Sequence, residues 1–328
     1  MTHLTYLEAA VVGLIQGVSE LFPISSLGHN VLLPALLGGS WARDLDVSKA
    51  ESPYLAFIVG MHVATAIALL IYFWRDWIRI IGGFFSSIRH MRVETVNERL
   101  AWMLILATIP VGIAGLLFEH TFRVIFGKPI LAAVFLIVNG LILYSGERFR
   151  PRSSVEADET IAEERQRALS SGRQGSGRHA SGQQAVRQEE LALAVQADGR
   201  LSTIGYGRAI TIGAVQIFAL LAGISRDGIT MVTGMARGLS REDAARFAFL
   251  LATPVILAAG VLKVPDLLGP LGKGIHGQIL LGSVLSGLGA YLSVRFLVRY
   301  FQTRTLTPFA IYCVVFGVGC VIYLGVVK

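Results

Sequence analysis

Residues 13–30 read GLIQGVSELFPISSLGHN, and residues 213–230 read GAVQIFALLAGISRDGIT. The copies keep an offset of 200 and share six of 18 positions without a gap. Gly13, Gln16, Leu21, Ile24, Ser25 and Gly28 match Gly213, Gln216, Leu221, Ile224, Ser225 and Gly228. Each copy has a short apolar half-helix, a break at Pro23 or Gly223, a serine, and another short apolar run. Neither half reaches the roughly 20 apolar residues that a spanning helix needs. The repeat therefore predicts two re-entrant hairpins.

The rest of the chain says what surrounds them. Of its 328 residues 53% are hydrophobic and 16% charged, with mean hydropathy +0.61. A soluble domain carries roughly 25% charged residues and could not bury this much apolar surface. Six stretches lack acidic and basic residues apart from His62: about 54–74, 100–118, 129–145, 247–262, 277–294 and 307–327. The expected fold is an all-α polytopic membrane protein with six transmembrane helices and two re-entrant hairpins. Cys313 and Cys320 lie seven residues apart on one predicted helix, too far along its axis to bridge.

Loops 75–99, 146–246 and 295–306, leaving out Arg226, hold 21 Lys and Arg; the opposite side holds 7. The positive-inside rule places the first set in the cytoplasm and both termini outside. The basic excess thus sets topology, and nucleic acid is not expected. The hairpins then enter from opposite faces and meet near the midplane, an inverted-topology repeat of the kind transporters use. Three regions follow: residues 1–145, a first membrane repeat; 146–202, a hydrophilic insert; and 203–328, a second membrane repeat. The insert is rich in Arg, Ser, Gly, Gln and Glu with almost no aromatics, which predicts a mostly disordered linker. A short helix is allowed near Gln188–Gln196.

The breaks carry chemistry. Glu20 is a carboxylate in apolar context and needs a reason to be there. Gln16 lies four residues earlier on the same helical face. Pro23 ends the half-helix, Ser25 and Ser26 stand where an N-cap belongs, and His29 follows one turn later. Glu20, Ser26 and His29 are expected to converge. In copy two, Gly223 permits the break, Ser225 caps, Arg226 supplies a permanent charge, Gly228 allows close approach, and Thr230 adds a hydroxyl. Half-helix N-termini and an arginine bind phosphate. A carboxylate, an imidazole and a serine add the parts of phosphoryl transfer. Each residue also has a plainer reading as a cap, an interfacial charge or a topological anchor. His62 reads as a helix–helix hydrogen-bond partner, and Gly282, Ser286 and Ala290 as a small-residue packing face.

These residues resemble the undecaprenyl-pyrophosphate phosphatase family of bacterial inner membranes. Gln16 and Glu20 meet its (Glu/Gln)-xxx-Glu motif. Pro23, Ser25, Ser26, Gly28 and His29 meet Pro-x-Ser-Ser-x-Gly-His. Gly223, Ser225, Arg226 and Thr230 meet Pro-Gly-x-Ser-Arg-Ser-x-x-Thr, with Ala222 and Asp227 departing from it. His62 stands where the family usually has Gln. The likeness covers about 4–145 and 203–327.

The resemblance implies hydrolysis of undecaprenyl pyrophosphate to undecaprenyl phosphate and phosphate, which recycles the carrier of cell-wall synthesis and gives bacitracin tolerance. It implies a divalent cation, Mg2+ or Ca2+, for which Glu20 and Asp227 are the candidate ligands. Arg226 and the N–H groups near Ser225 would hold the phosphates. Gln16, Ser25, Gly223, Gly228 and Thr230 would complete the binding surface. Ser26 would attack, or Glu20 or His29 would activate water. His29 would be the general acid or base. The expected partners are the lipid pyrophosphate and the bilayer, with a homodimer allowed. A lipid-phosphate flippase and a non-hydrolysing binding paralogue are the alternatives.

Overall fold

The computed structural model describes residues 4–45, 53–126, 128–174, 192, 194–269 and 274–327. Among them there is no strand. The helices are α1 (Tyr6–Ser19), α2 (Ser26–Leu37), α3 (Gly39–Asp44), α4 (Pro53–Tyr72), α5 (Trp74–His90), α6 (Val96–Phe126) and α7 (Pro129–Arg148). Then come α8 (Arg152–Gln174), α9 (Ala194–Ser202), α10 (Tyr206–Ala214), α11 (Arg226–Ala236), α12 (Arg241–Leu268), α13 (His276–Tyr300) and α14 (Thr307–Val327). A 3-10 run, Val215–Leu220, continues α10. Local sequence sets several starts. Thr5 and Glu8 form a reciprocal capping box on α1, Pro129 opens α7, and the Ser240 hydroxyl accepts from Asp243 N–H at α12.

Five described helices are long and apolar enough to cross a membrane: Val96–Phe118, Pro129–Arg148, Arg241–Leu262, His276–Tyr300 and Thr307–Val326. They coincide with five of the six expected stretches. The sixth, 54–74, is α4, which turns 87° into α5. α9 and the α10 segment make a second bent pair, at 100°. Counting bent pairs as spans raises the total to seven. The protein is an all-helical, multi-pass membrane protein.

The helices pack in a repeating scheme. α1 lies on α13 and α10 lies on α6; α4 meets α12, and α7 meets α14. α4 also meets α13, as α12 meets α6. Exchanging α1, α4, α6 and α7 for α10, α12, α13 and α14 therefore maps these contacts onto themselves. The same glycine allows close approach in both copies. A Cβ on Gly13 would fall 2.7 Å from Gly282 Cα, and one on Gly213 would fall 2.7 Å from Ala107 Cα. Without a hydrophobic driving force between helices in lipid, such backbone contact is what holds spans together. Gly282 and Ser286 pack on Gly13 and Gly17 as the small-residue face predicted.

Two expectations are corrected. The loop expected at 75–99 contains α5. The insert is helical at both described ends, α8 and α9, whereas a mostly disordered stretch was expected; residues 175–191 lie outside the description. Several of its polar side chains bond the membrane repeats, while others stay exposed. Ser154 donates to the Leu239 carbonyl at 2.5 Å, and Arg165 reaches Glu242 at 2.9 Å. Arg200 grips both Asp243 oxygens at 2.8 Å. Composition shows charge but not its partners.

Candidate active site

The two breaks touch. α1 ends at Ser19, and Glu20 caps it. Ser25 caps α2 at φ 67°, a left-handed conformation that costs a non-glycine residue about 1–3 kcal/mol. This posture lets its hydroxyl accept two backbone N–H groups at 3.2 Å, from Gly28 in its own helix and from Gly223 in the other break. Gly223 itself sits at φ 112°, where a side chain would be strained. A Cβ on Gly28 would meet Gly223 Cα at 2.9 Å. Asn139, buried on α7, pins both breaks. It donates to the Pro23 carbonyl at 3.0 Å and accepts from Ser225 N–H at 2.9 Å.

Glu20 is the centre. It is 8% exposed and receives Gln16 Nε2 at 2.7 Å and the Ser26 hydroxyl on Oε2, and Arg226 Nη2 at 2.9 Å on Oε1. The last contact joins residues 206 apart. His62 Nε2 lies 3.6 Å from Oε2 and 3.5 Å from Gln16 Nε2. The partner of His62 Nδ1 is the Ile58 carbonyl at 2.9 Å. A carbonyl only accepts, so Nδ1 carries the hydrogen and Nε2 faces the carboxylate. Asn30 fixes the Gln16 amide by donating to Oε1 at 2.6 Å. Ser26, His62 and Arg226 are the partly exposed members of this set.

The remaining predicted residues sort differently. His29 does not join Glu20 and Ser26. Its Nδ1 bonds the Ser25 carbonyl and its Nε2 the Tyr312 hydroxyl, both at 2.8 Å. The ring is stacked on Tyr312 and Phe316. The aromatic face of α14 holds the imidazole, and His62 occupies the place beside Glu20. Thr230 donates to the Arg226 carbonyl at 2.7 Å, inside its own helix. Ser225 caps Gly228 N–H at 3.1 Å.

Asp227 is buried, with Oδ1 3.4 Å from Arg226 Nε and Oδ2 without a hydrogen-bond partner among the described residues. The donor set does not fit a resident metal. The Arg226 guanidinium bonds both Glu20 and Asp227, so a cation of the chain itself already serves the two carboxylates. Among the described residues no cluster of three His, Cys, Asp or Glu could hold an ion.

Sequence reading missed His62, Asn30, Asn139 and Tyr312 as site members. His62 and Asn139 carried a usable signal: each is a polar side chain in the middle of an apolar span. Tyr312 carried none, since tyrosines are common on such helices.

The fold and this site define a class: multi-pass helical membrane proteins in which two broken helices join a carboxylate, a serine and an arginine. Comparison with known proteins sharpens it. The family described as "Bacitracin resistance protein BacA" matches residues 9–319, both breaks included. An undecaprenyl-diphosphatase of Mycolicibacterium paratuberculosis is 58% identical over 323 residues, 98% of each chain. "Undecaprenyl-diphosphatase 2" of Frankia alni is 51% identical over 348 residues, covering 99% of this chain and 100% of the relative. "Undecaprenyl-diphosphatase 2" of Burkholderia lata is 38% identical over 310 residues, covering 94% and 93%. The chain belongs to the BacA family.

Proposed function

We propose that the protein hydrolyses undecaprenyl pyrophosphate to undecaprenyl phosphate and inorganic phosphate, recycling the lipid carrier of cell-wall synthesis and giving tolerance to bacitracin. The observation that carries this reading is the contact set of Glu20, Ser26 and Arg226. It brings a hydroxyl, a carboxylate and a guanidinium together inside the helical bundle, which supports their roles as nucleophile, proton acceptor and phosphate binder.

The Ser26 oxygen attacks the terminal phosphorus while its proton passes to Glu20 Oε2. The bond from that phosphorus to the bridging oxygen breaks, and undecaprenyl phosphate leaves. Water then attacks the phosphoserine, whose Oγ leaves and recovers a proton from Glu20. In the alternative order, Glu20 activates water directly and Ser26 only orients it. Arg226 turns from the carboxylates to the phosphate oxygens, where a fixed guanidinium stabilises the developing charge. His62 Nε2 is the imidazole placed to exchange a proton with Glu20, while His29 braces the N-terminus of α2 against α14. The prenyl chain stays in lipid. A divalent cation, if the reaction uses one, comes with the pyrophosphate and not as a resident of Glu20 and Asp227; no step above is routed through it.

The family supports a setting in the bacterial inner membrane, and the Lys and Arg count supports both termini lying outside. The reading needs one copy of the chain and allows two. Asp227 favours one competing reading, a paralogue that binds the head group without turnover, because a second carboxylate holds the arginine.

The test is phosphate release from undecaprenyl pyrophosphate in detergent, with and without EDTA. Arg226→Ala should lower it about 10²–10³-fold in protein that still folds, as judged by far-UV circular dichroism. A wild-type rate in that variant would end the assignment. Binding without release in the wild type, rescued by Asp227→Ser, would favour the paralogue. Activity that needs a sealed bilayer and yields no phosphate would favour a flippase.

A further inference from the structure

α5 has two faces that a single bundle cannot both satisfy. Asp76, Ile80, Gly83 and Ser87 are buried, and Gly83 packs on the start of α6. On the other side Trp74, Ile78, Ile81, Phe85 and Ile88 recur at spacings of three and four, one helical stripe. All are exposed, with Ile78 at 62% and Phe85 at 63%.

The direction of α5 is locked. Arg79 bonds Asp76 at 2.5 Å and Asp198 of α9 at 2.8 Å. Arg246 of α12 bonds the same two aspartates at 2.9 Å and 2.7 Å. Its guanidinium also lies over the Phe73 ring at the elbow. Four charges from three helices close a compact ring, and breaking such a ring would strand a buried charge. The ring holds α5 at 87° to α4, which packs among the spanning helices α12 and α13. A helix perpendicular to a span runs along the membrane surface.

Charge on α5 is one-sided. Its acidic residue, Asp76, is consumed in the ring. The exposed or half-exposed groups left on the helix are Arg75, Arg89 and His90; just beyond its C-terminus Arg92 is solvent-exposed and shares a loose 3.6 Å pair with Glu94. Arg75 lies over the Trp74 ring at 5.2 Å. Tryptophan beside arginine is an interfacial pairing: an apolar body below, a charged head above.

We propose that α5 lies in the plane of the leaflet on the side of α8 and α9, with its apolar stripe in the acyl chains and Arg75, Arg89 and Arg92 on anionic phospholipid head groups. The chemistry is that of an interfacial amphipathic helix. Its partner is the anionic leaflet itself, and the ring Asp76–Arg79–Asp198–Arg246 is the bracket that presents it.

The full chain in nanodiscs of phosphatidylcholine, with and without phosphatidylglycerol, tests this. Nitroxide labels are placed singly at Ile78→Cys, Ile81→Cys, Phe85→Cys, Ser86→Cys and His90→Cys; Cys313 and Cys320 are buried and act as the unlabelled background. Dissolved oxygen should reach labels at 78, 81 and 85 better than a water-soluble nickel chelate, with the order reversed at 86 and 90. Equal nickel access at 85 and 90 would overturn the interfacial placement. In discs with phosphatidylglycerol, Arg89→Glu/Arg92→Glu should move the label at 85 outward, and in pure phosphatidylcholine it should not. An unchanged depth in both would overturn the assignment to anionic lipid.

Discussion

The two breaks are built from the same parts and do different work. Ser25 and Ser225 each cap the following helix through the N–H three residues on. Gly13 and Gly213 each seat their half-helix on a span of the other set. There the likeness stops. α1 stays α-helical to Ser19, while the equivalent run in copy two becomes a 3-10 helix. Gln16 touches Glu20, Asn30 and His62; Gln216 is buried and neither atom of its amide has a hydrogen-bond partner among the described residues. Leu220 stands at the Glu20 position of copy two, and Arg226 at the Ser26 position of copy one. Under the mechanism proposed above, the first break handles the proton and the second binds the anion, and the Glu20–Arg226 contact joins them.

This division can be attacked at several strengths. Glu20→Gln should have the largest effect, about 10²–10⁴-fold on phosphate release, because the amide cannot take the serine proton. A loss below tenfold would move the base elsewhere. Gln16→Leu comes next. It removes a donor from a buried carboxylate and strands Asn30, for a destabilisation of about 2–3 kcal/mol, read by thermal melting together with turnover. Gly13→Val and Gly213→Val should each destabilise by about 1–3 kcal/mol, and by similar amounts; a large difference would break the symmetry of the scaffold. Gln216→Leu should be the mildest. It replaces an unsatisfied buried amide with an apolar side chain and should be neutral or stabilising by about 1 kcal/mol. Strong destabilisation there would mean that copy two has a polar network of its own.

Much of this was legible in the sequence, and the reasons are physical. Long apolar runs report spans because the bilayer fixes their length, which is why all six coincide with described helices and five of them with unbent candidate spans. The breaks were legible because Pro23 and Gly223 each stand two residues before a serine, which sets a helix breaker beside a cap for the next helix. Pairing across the fold was less so. That His29 turns to Tyr312 while His62 turns to Glu20 depends on which helix is packed where. α5 was hidden by its charges: Arg75, Asp76 and Arg79 read as a loop, although Trp74, Ile78, Ile81, Phe85 and Ile88 already had helical spacing. α8 and α9 looked like solvated linker because their partners, Asp243, Glu242 and Arg246, lie on the membrane repeats.

The Glu20–Arg226 contact also bears on how the chain is made. At about 5–20 residues per second, a ribosome needs roughly 10–40 s to deliver the arginine after the glutamate. During that interval the first hairpin carries a carboxylate without its counter-ion, so copy one has reason to wait at the membrane surface or in the insertion machinery. The pair can close only when the second hairpin arrives, so the order of synthesis delays the assembly of this site until the second half is made.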